Sequence, residues 1–340
     1  MKIGINGYGR IGRVIHRIIS LRDDIEVVAI NDVNPDINNL VYLANYDSTY
    51  GVSKNKFSSE NNLIFNDREK IRVTNIENID EAPWDEFGVE ILIDSSGIAK
   101  NLLLSKNLKG KVKNVIVTNS PDEDKVDKTI IYGVNHEHLN KSEDFLIASS
   151  ICDATAFAPL IKLVNDYFKV QEGSLTTLHP WLGYQNLLDG PSKAYSAPGE
   201  IYDEYALGRS AFYNLIPKNT SAISATYKVL PELKDKFLSL SYRTPTMIVS
   251  SADATVILEN EIDLGEVKKI LFDAEKNNEG IFFNNKEPLV SSDLIGNSNS
   301  VIVDHRFLKA KGKILKILSW YDNEWGYSSR VVDLVNYLRE

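Results

Sequence analysis

Cys152 is the only cysteine among 340 residues, and it sits in the stretch SSICDATAFAPL (149–160). It follows a strand-like run and opens a helix candidate over about 152–168. A thiol at a helix N-terminus feels the positive end of the macrodipole, which lowers its pKa. The thiolate can add to an aldehyde to give a thiohemiacetal, and loss of hydride then leaves a thioester. A lone cysteine is also a small hydrophobe suited to a core, so a second residue has to decide. The chain has five histidines: His16, His136, His138, His179 and His305. His179 follows SLTTL in a mostly apolar strand-like run, where an imidazole can act as base and then acid toward the thiol. His136 and His138 stand in a polar stretch without cysteine or clustered carboxylates, so no metal site is expected. One cysteine forms no internal disulfide, which fits a reducing, cytoplasmic setting. A low-pKa, accessible Cys152 would alkylate quickly near neutral pH, and a structural thiol would not.

A second motif lies at the start of the chain. KIGINGYGRIGRVIHRI holds Gly7-x-Gly9-x-x-Gly12 after a strand-like run and at the head of a helix candidate. Gly7 permits the tight turn, Gly9 lets a pyrophosphate approach the backbone, and Gly12 lets helix pack on strand. The helix N-terminus offers unpaired N–H groups to phosphate. The next strand-like run ends at Asn31-Asp32. Asp32 would accept hydrogen bonds from ribose hydroxyls and repel the 2′-phosphate of NADP, so NAD is the expected cofactor. Ser96 and Thr118, in the strand-like runs 90–96 and 114–119, are counted with the same cofactor-binding set.

The elements that must carry these residues alternate in the first part of the chain. Apolar runs at 2–6, 26–31, 90–96, 114–119, 129–134 and 145–149 read as buried strands, with helix candidates at 10–22, 36–46 and 100–107. That order implies βαβ units and a mostly parallel sheet. From about residue 174 the strands are longer and alternate: 174–182, 237–245, 247–259 and 313–322. They suit a mostly antiparallel sheet with one covered face. The segment 183–207 is rich in Gly, Pro, Ser and Tyr, and too long for a plain connector. The expected architecture is α/β: a Rossmann-type NAD-binding domain over 1–151 and an α+β catalytic domain over 152–323. The helix 324–340 has an apolar face with which to dock on the first domain. A net charge of −9 argues against nucleic acid, and no apolar run reaches the ~18–20 residues of a membrane span. The N-terminus has no secretory pattern.

Taken together, the motifs resemble the glyceraldehyde-3-phosphate dehydrogenase family. The resemblance covers essentially the whole chain: INGYGRIGR (5–13), YDSTYG (46–51), Cys152 with APL (158–160), TTLH (176–179), LDGPSK (188–193), RTPT (243–246) and WYDNEWGYSSRVVDLV (320–335). It implies that Cys152 is the nucleophile and His179 its activator. It implies that Asn323 fixes the nicotinamide carboxamide, that Arg10 and Ile11 meet the pyrophosphate, and that Arg243 binds substrate phosphate. The backbone N–H of Cys152, with His179, would stabilise the oxyanion. The family further implies a homotetramer, in which 183–207 resembles a loop lining a neighbour's cofactor site.

The anion contacts depart from the family pattern. Around the nucleophile the family reads Ser-Cys-Thr-Thr-Asn-Cys, and this chain reads Ile151, Cys152, Asp153, Ala154, Thr155, Ala156. Ile151 offers no hydroxyl. Asp153 places a negative charge where an anion should approach, and two unit charges ~4 Å apart interact by roughly 1–4 kcal/mol. It also opposes formation of the thiolate, although a carboxylate in the first helical turn suits the dipole. Leu182, Tyr184 and Leu207 stand where Thr, Asp and Arg are usual, and Ser221 replaces a Gly. Arg209 and Thr220 survive, and Thr220 is counted with Arg243 and Asp153 as a substrate-binding candidate. Three readings follow: oxidation of glyceraldehyde 3-phosphate with shifted anion contacts; oxidation of another aldehyde, bearing a phosphate or phosphonate, with water or another acyl acceptor; or an inactive NAD-binding scaffold. The partner expected is a small aldehyde, with no nucleic acid and no membrane.

Overall fold

The computed structural model describes residues 1–193 and 203–339. The described residues divide into two compact units: 1–132, 136–150 and 328–339 in one, and 133–135, 151–193 and 203–327 in the other.

The first unit is built on a nine-stranded sheet in the order 128–129, 146–148, 114–117, 91–94, 2–6, 26–31, 70–74, 63–65, 58–60. The first seven strands pair in parallel and the last two antiparallel. Ile91–Asp94 and Asn114–Val117 are buried at every position, as parallel strands covered on both faces must be. The run 129–134, expected as one strand, pairs only over Lys128–Thr129. Ile130 and Ile131 stay buried, but the chain then turns through Gly133 at φ +86°. The final helix, Trp325–Arg339, joins this unit from Ser328. Tyr337 packs edge-on against His136, whose ring also meets Tyr132, and Arg339 pairs with Asp24.

The second unit carries strands 216–218, 237–244, 170–180, 250–258, 314–321, 301–304 and 282–285 side by side, with 309–311 added to 314–321. Two neighbour pairs are parallel, 170–180 with 237–244 and 282–285 with 301–304, and the rest antiparallel. The helix Cys152–Phe168 lies against strands 170–180, 250–258 and 301–304, burying Ala154, Phe157, Leu160, Ile161 and Val164. In the segment 183–207, residues 194–202 lie outside the described residues. No helix among the described residues is long and apolar enough to cross a membrane.

Candidate active site

The period-2 alternation of two strands sets the site. Along 170–180, Leu175, Thr177 and His179 point to the helix-covered side, and Leu178 is exposed. Along 237–244, Phe237, Ser241 and Arg243 are buried, and Leu238 and Leu240 are exposed. The strands run parallel with His179 opposite Arg243, and Thr177 Oγ1 donates to Ser241 Oγ at 2.8 Å. Ile151 is extended, and the helix begins at Cys152. Tyr321 ends the strand 314–321 opposite Ser250.

Cys152 Sγ lies 3.6 Å from His179 Nε2. His179 Nδ1 is 2.8 Å from the carbonyl oxygen of Pro180. That oxygen can only accept, so Nδ1 carries the proton and Nε2 turns a lone pair to the thiol. Burial, and then the charge of Arg243, push the His179 pKa down to about 4, against the opposing pull of Asp153. The imidazole is therefore neutral and able to take a proton.

Asp153 is buried, and its Oδ1 accepts from Tyr321 Oη at 2.8 Å. The same oxygen lies 3.5 Å from Cys152 Sγ and 3.8 Å from His179 Nε2. Of the two opposed effects expected on the thiol, the one that raises its pKa prevails over the helix dipole. Burial pushes the Cys152 thiol well up, the Asp153 carboxylate adds to that by its charge and by accepting the S–H, and Arg243 offsets only part. The helix dipole is overcome first by burial and then by a carboxylate one residue away.

Arg243 is buried, its Nε is enclosed without a hydrogen-bond partner, and its guanidinium bonds to none of the described residues. A buried cation in that state is costly unless an anion joins it. Lys218 is half-buried on the neighbouring strand 216–218, its pKa lowered by burial and then by the charge of Arg243. Its own charge reaches His179. Thr220 Oγ1 accepts from Ala222 N at 3.1 Å, at the head of a short helix. Arg209 pairs with Asp189 at 2.6 Å on an exposed surface. Asn323 Oδ1 accepts from Val249 N at 3.1 Å, while its Nδ2 bonds to none of the described residues. That bond braces Val249, which sits at φ +69°, a strained value for a β-branched residue.

Sequence reasoning missed Lys218 and Tyr321. Lys218 lies in a run read only for its Leu, Arg and Thr, and strand register alone places it beside the Arg243 strand. Tyr321 belongs to the C-terminal signature, yet nothing in the sequence pairs it with Asp153.

In the first unit the glycine turn has the shape a dinucleotide requires. Gly7 stands at φ +86°, and a Cβ there would lie 2.5 Å from the backbone of Ser96. A Cβ on Gly9 would meet nothing within 4 Å, so the backbone there is open to a pyrophosphate. Arg10 and Ile11 open the helix Arg10–Ile19, whose N-terminus has no side-chain cap; Arg10 Nη1 donates to Asp47 at 2.6 Å. Asp32 accepts from Tyr8 N at 2.6 Å and Asn34 N at 2.8 Å, which ties the acidic residue to the turn. Asp94 accepts from Asn6, Ser96 N and Ser96 Oγ, and Thr118 N donates to the Asp94 carbonyl. Ser96 and Thr118 are thereby fixed at the carboxyl ends of neighbouring strands, where open α/β sheets bind ligands. These residues fit NAD, which accepts a hydride at its nicotinamide when bound.

A fold that holds a nicotinamide dinucleotide, joined to a thiol beside a neutral imidazole, defines a dehydrogenase. The profile of the glyceraldehyde 3-phosphate dehydrogenase NAD-binding domain matches residues 1–102, and that of the C-terminal domain matches 151–323. The chain is 37% identical over 344 aligned residues to the cytosolic glyceraldehyde-3-phosphate dehydrogenase of Craterostigma plantagineum, covering 99% of this chain and 98% of that one. It is 38% identical to the cytosolic enzymes of Taxus baccata and Ginkgo biloba, covering 99% of this chain and 97% of each. The chain belongs to the glyceraldehyde-3-phosphate dehydrogenase family and is an NAD-dependent oxidoreductase of that type.

Proposed function

We propose that the protein oxidises a small phosphorylated aldehyde, glyceraldehyde 3-phosphate foremost, with residues 151–327 as catalytic domain and the first unit as cofactor domain. The observation that carries the substrate class is Arg243, a buried side chain whose guanidinium bonds to none of the described residues. A substrate phosphate supplies the missing acceptor in bidentate form, and Lys218 adds charge. Cys152 adds to the carbonyl as His179 Nε2 takes its proton, and the N–H of Cys152 with His179 steadies the oxyanion. The thiohemiacetal carbon then loses its hydrogen as hydride, which bound NAD would accept, leaving a thioester on Sγ. The imidazole, held by Pro180, returns the proton to Sγ when the acyl group leaves. Gly7, Gly9, Arg10, Ile11, Gly12, Asp32, Ser96 and Thr118 bind NAD, and Asn323 turns its Nδ2 to the carboxamide. Thr220 accepts from Ala222 N and keeps its O–H to donate, so it joins Arg243 and Lys218 as an anion contact.

A second reading concerns the acyl acceptor. Asp153 stands 3.5 Å from Sγ, where an attacking phosphate would meet its charge. That favours water, or inorganic phosphate at reduced efficiency. We also take the protein to be a cytoplasmic homotetramer. Leu178, Leu238, Leu240 and Ile257 form an exposed apolar face on the second sheet, an area suited to association, and the relatives are named cytosolic.

The test compares glyceraldehyde 3-phosphate with unphosphorylated glyceraldehyde in wild type and Arg243→Leu. The variant should lose roughly 10–100-fold in kcat/KM on the phosphorylated substrate, the worth of a charged hydrogen bond, and little on the other. Equal loss on both would remove Arg243 from phosphate recognition.

A further inference from the structure

Cys152, Asp153 and His179 present three different ligand atoms to one point. Sγ and Nε2 are 3.6 Å apart, Sγ and Oδ1 3.5 Å, and Nε2 and Oδ1 3.8 Å. The ligand atoms of a tetrahedral zinc ion, at the usual bond lengths, lie roughly 3.3–3.6 Å apart. Two of the three edges already have that length, and the third closes by a few tenths of an ångström.

We propose that Cys152, Asp153 and His179 form a three-ligand site for a thiophilic divalent cation, zinc foremost, which reversibly masks the nucleophile. The supporting contacts are those of a metal centre. His179 donates Nδ1–H to a backbone carbonyl, which leaves Nε2 as the ligating atom. Asp153 Oδ1 is oriented by Tyr321 and keeps a second lone pair for the metal. Thiolate and carboxylate together cancel the charge of a dication, so Arg243 faces a neutral complex. The thiol proton leaves to solvent as the metal–sulfur bond forms. Cys152 is half-buried, and three protein ligands leave the fourth position for water. A sulfur held by metal adds to no carbonyl. Asp153 is thereby more than an obstacle to phosphate: it completes a metal-sensitive switch on the catalytic pair.

The test is spectroscopic. Purified full-length protein is titrated with Co²⁺, and Zn²⁺ is then used to displace it. One equivalent should give a thiolate-to-cobalt charge-transfer band, which in this chain reports Cys152 alone. Zn²⁺ should remove the band and protect Cys152 from iodoacetamide. Cys152→Ala should abolish the band, and Asp153→Asn, which keeps the shape and the Tyr321 contact, should weaken metal binding at least ~10-fold. NAD binding of each variant shows that it is folded. No charge-transfer band in the wild type, or undiminished affinity in Asp153→Asn, would overturn the site. Both readouts are independent of turnover, so a protein that is inactive before any metal is added, yet gives the band with Co²⁺, would sink the proposed substrate and leave the metal site standing.

Discussion

The glycine turn of the first unit and the cysteine pocket of the second differ in how their polar groups are satisfied. Around the turn the bonds are closed: Asn31 Nδ2 donates to Asn6 Oδ1, Asn6 Nδ2 to Asp94, Ser96 to Asp94, and Tyr8 N to Asp32. Around Cys152 they are open. Among the described residues neither the Arg243 guanidinium nor Asn323 Nδ2 has an acceptor, and Asp153 holds a charge against a thiol. The closed network keeps a fixed shape for one cofactor. The open one holds hydrogen-bonding capacity that only a substrate uses, and its departures from the family pattern gather there. A binding platform tolerates little change of backbone, whereas an anion pocket can be re-made side chain by side chain.

Changes that remove the chemistry itself should have the largest effects. Cys152→Ala should bring turnover to background while NAD still binds, measured by NADH formation and by titration with NAD. Near-normal turnover would end the nucleophile assignment. His179→Ala should cost ~10²–10⁴-fold in kcat, the usual loss of a general base. On the other side of the comparison, Gly7→Ala should abolish NAD binding, since its Cβ would meet the Ser96 backbone at 2.5 Å and φ is +86°; retained affinity would show that the turn can shift. A smaller effect concerns the thiol. With its pKa raised by burial and Asp153, Cys152 is mostly protonated at neutral pH. Iodoacetamide should react more slowly than with a free cysteine at pH 7, and faster as pH rises. Asp153→Asn should speed the reaction at a fixed pH near 8. Because the His179 pKa is about 4, no histidine step should appear between pH 5 and 8.

The sequence carried the elements whose period or glycine spacing is strong. The run 2–6 before Gly7-x-Gly9-x-x-Gly12 and the helix opened by Cys152 stand where their residues imply. The strands Ser58–Glu60, Leu63–Phe65 and Lys70–Thr74 gave little signal, because they are only three to five residues long and too short to show a period, and pairing is what makes them strands. Cys152 and His179 were legible by residue type and by family resemblance. That Asp153 opposes the thiolate was legible from its place beside Cys152; the burial that dominates the thiol's pKa and the contact with Tyr321 were not, because only the folded sheet supplies them. Lys218 was invisible for the same reason: register between 216–218 and 237–244 sets it opposite Ser241, within reach of the charge of Arg243.

The most direct test mixes purified protein with NAD and glyceraldehyde 3-phosphate and follows NADH absorbance, with and without inorganic phosphate, in wild type and Asp153→Thr. The account predicts turnover in the wild type that depends weakly on phosphate, and a larger phosphate benefit in the variant. No NADH from the wild type, with NAD bound, would contradict glyceraldehyde 3-phosphate as substrate, and an identical phosphate dependence in both proteins would contradict the role given to Asp153.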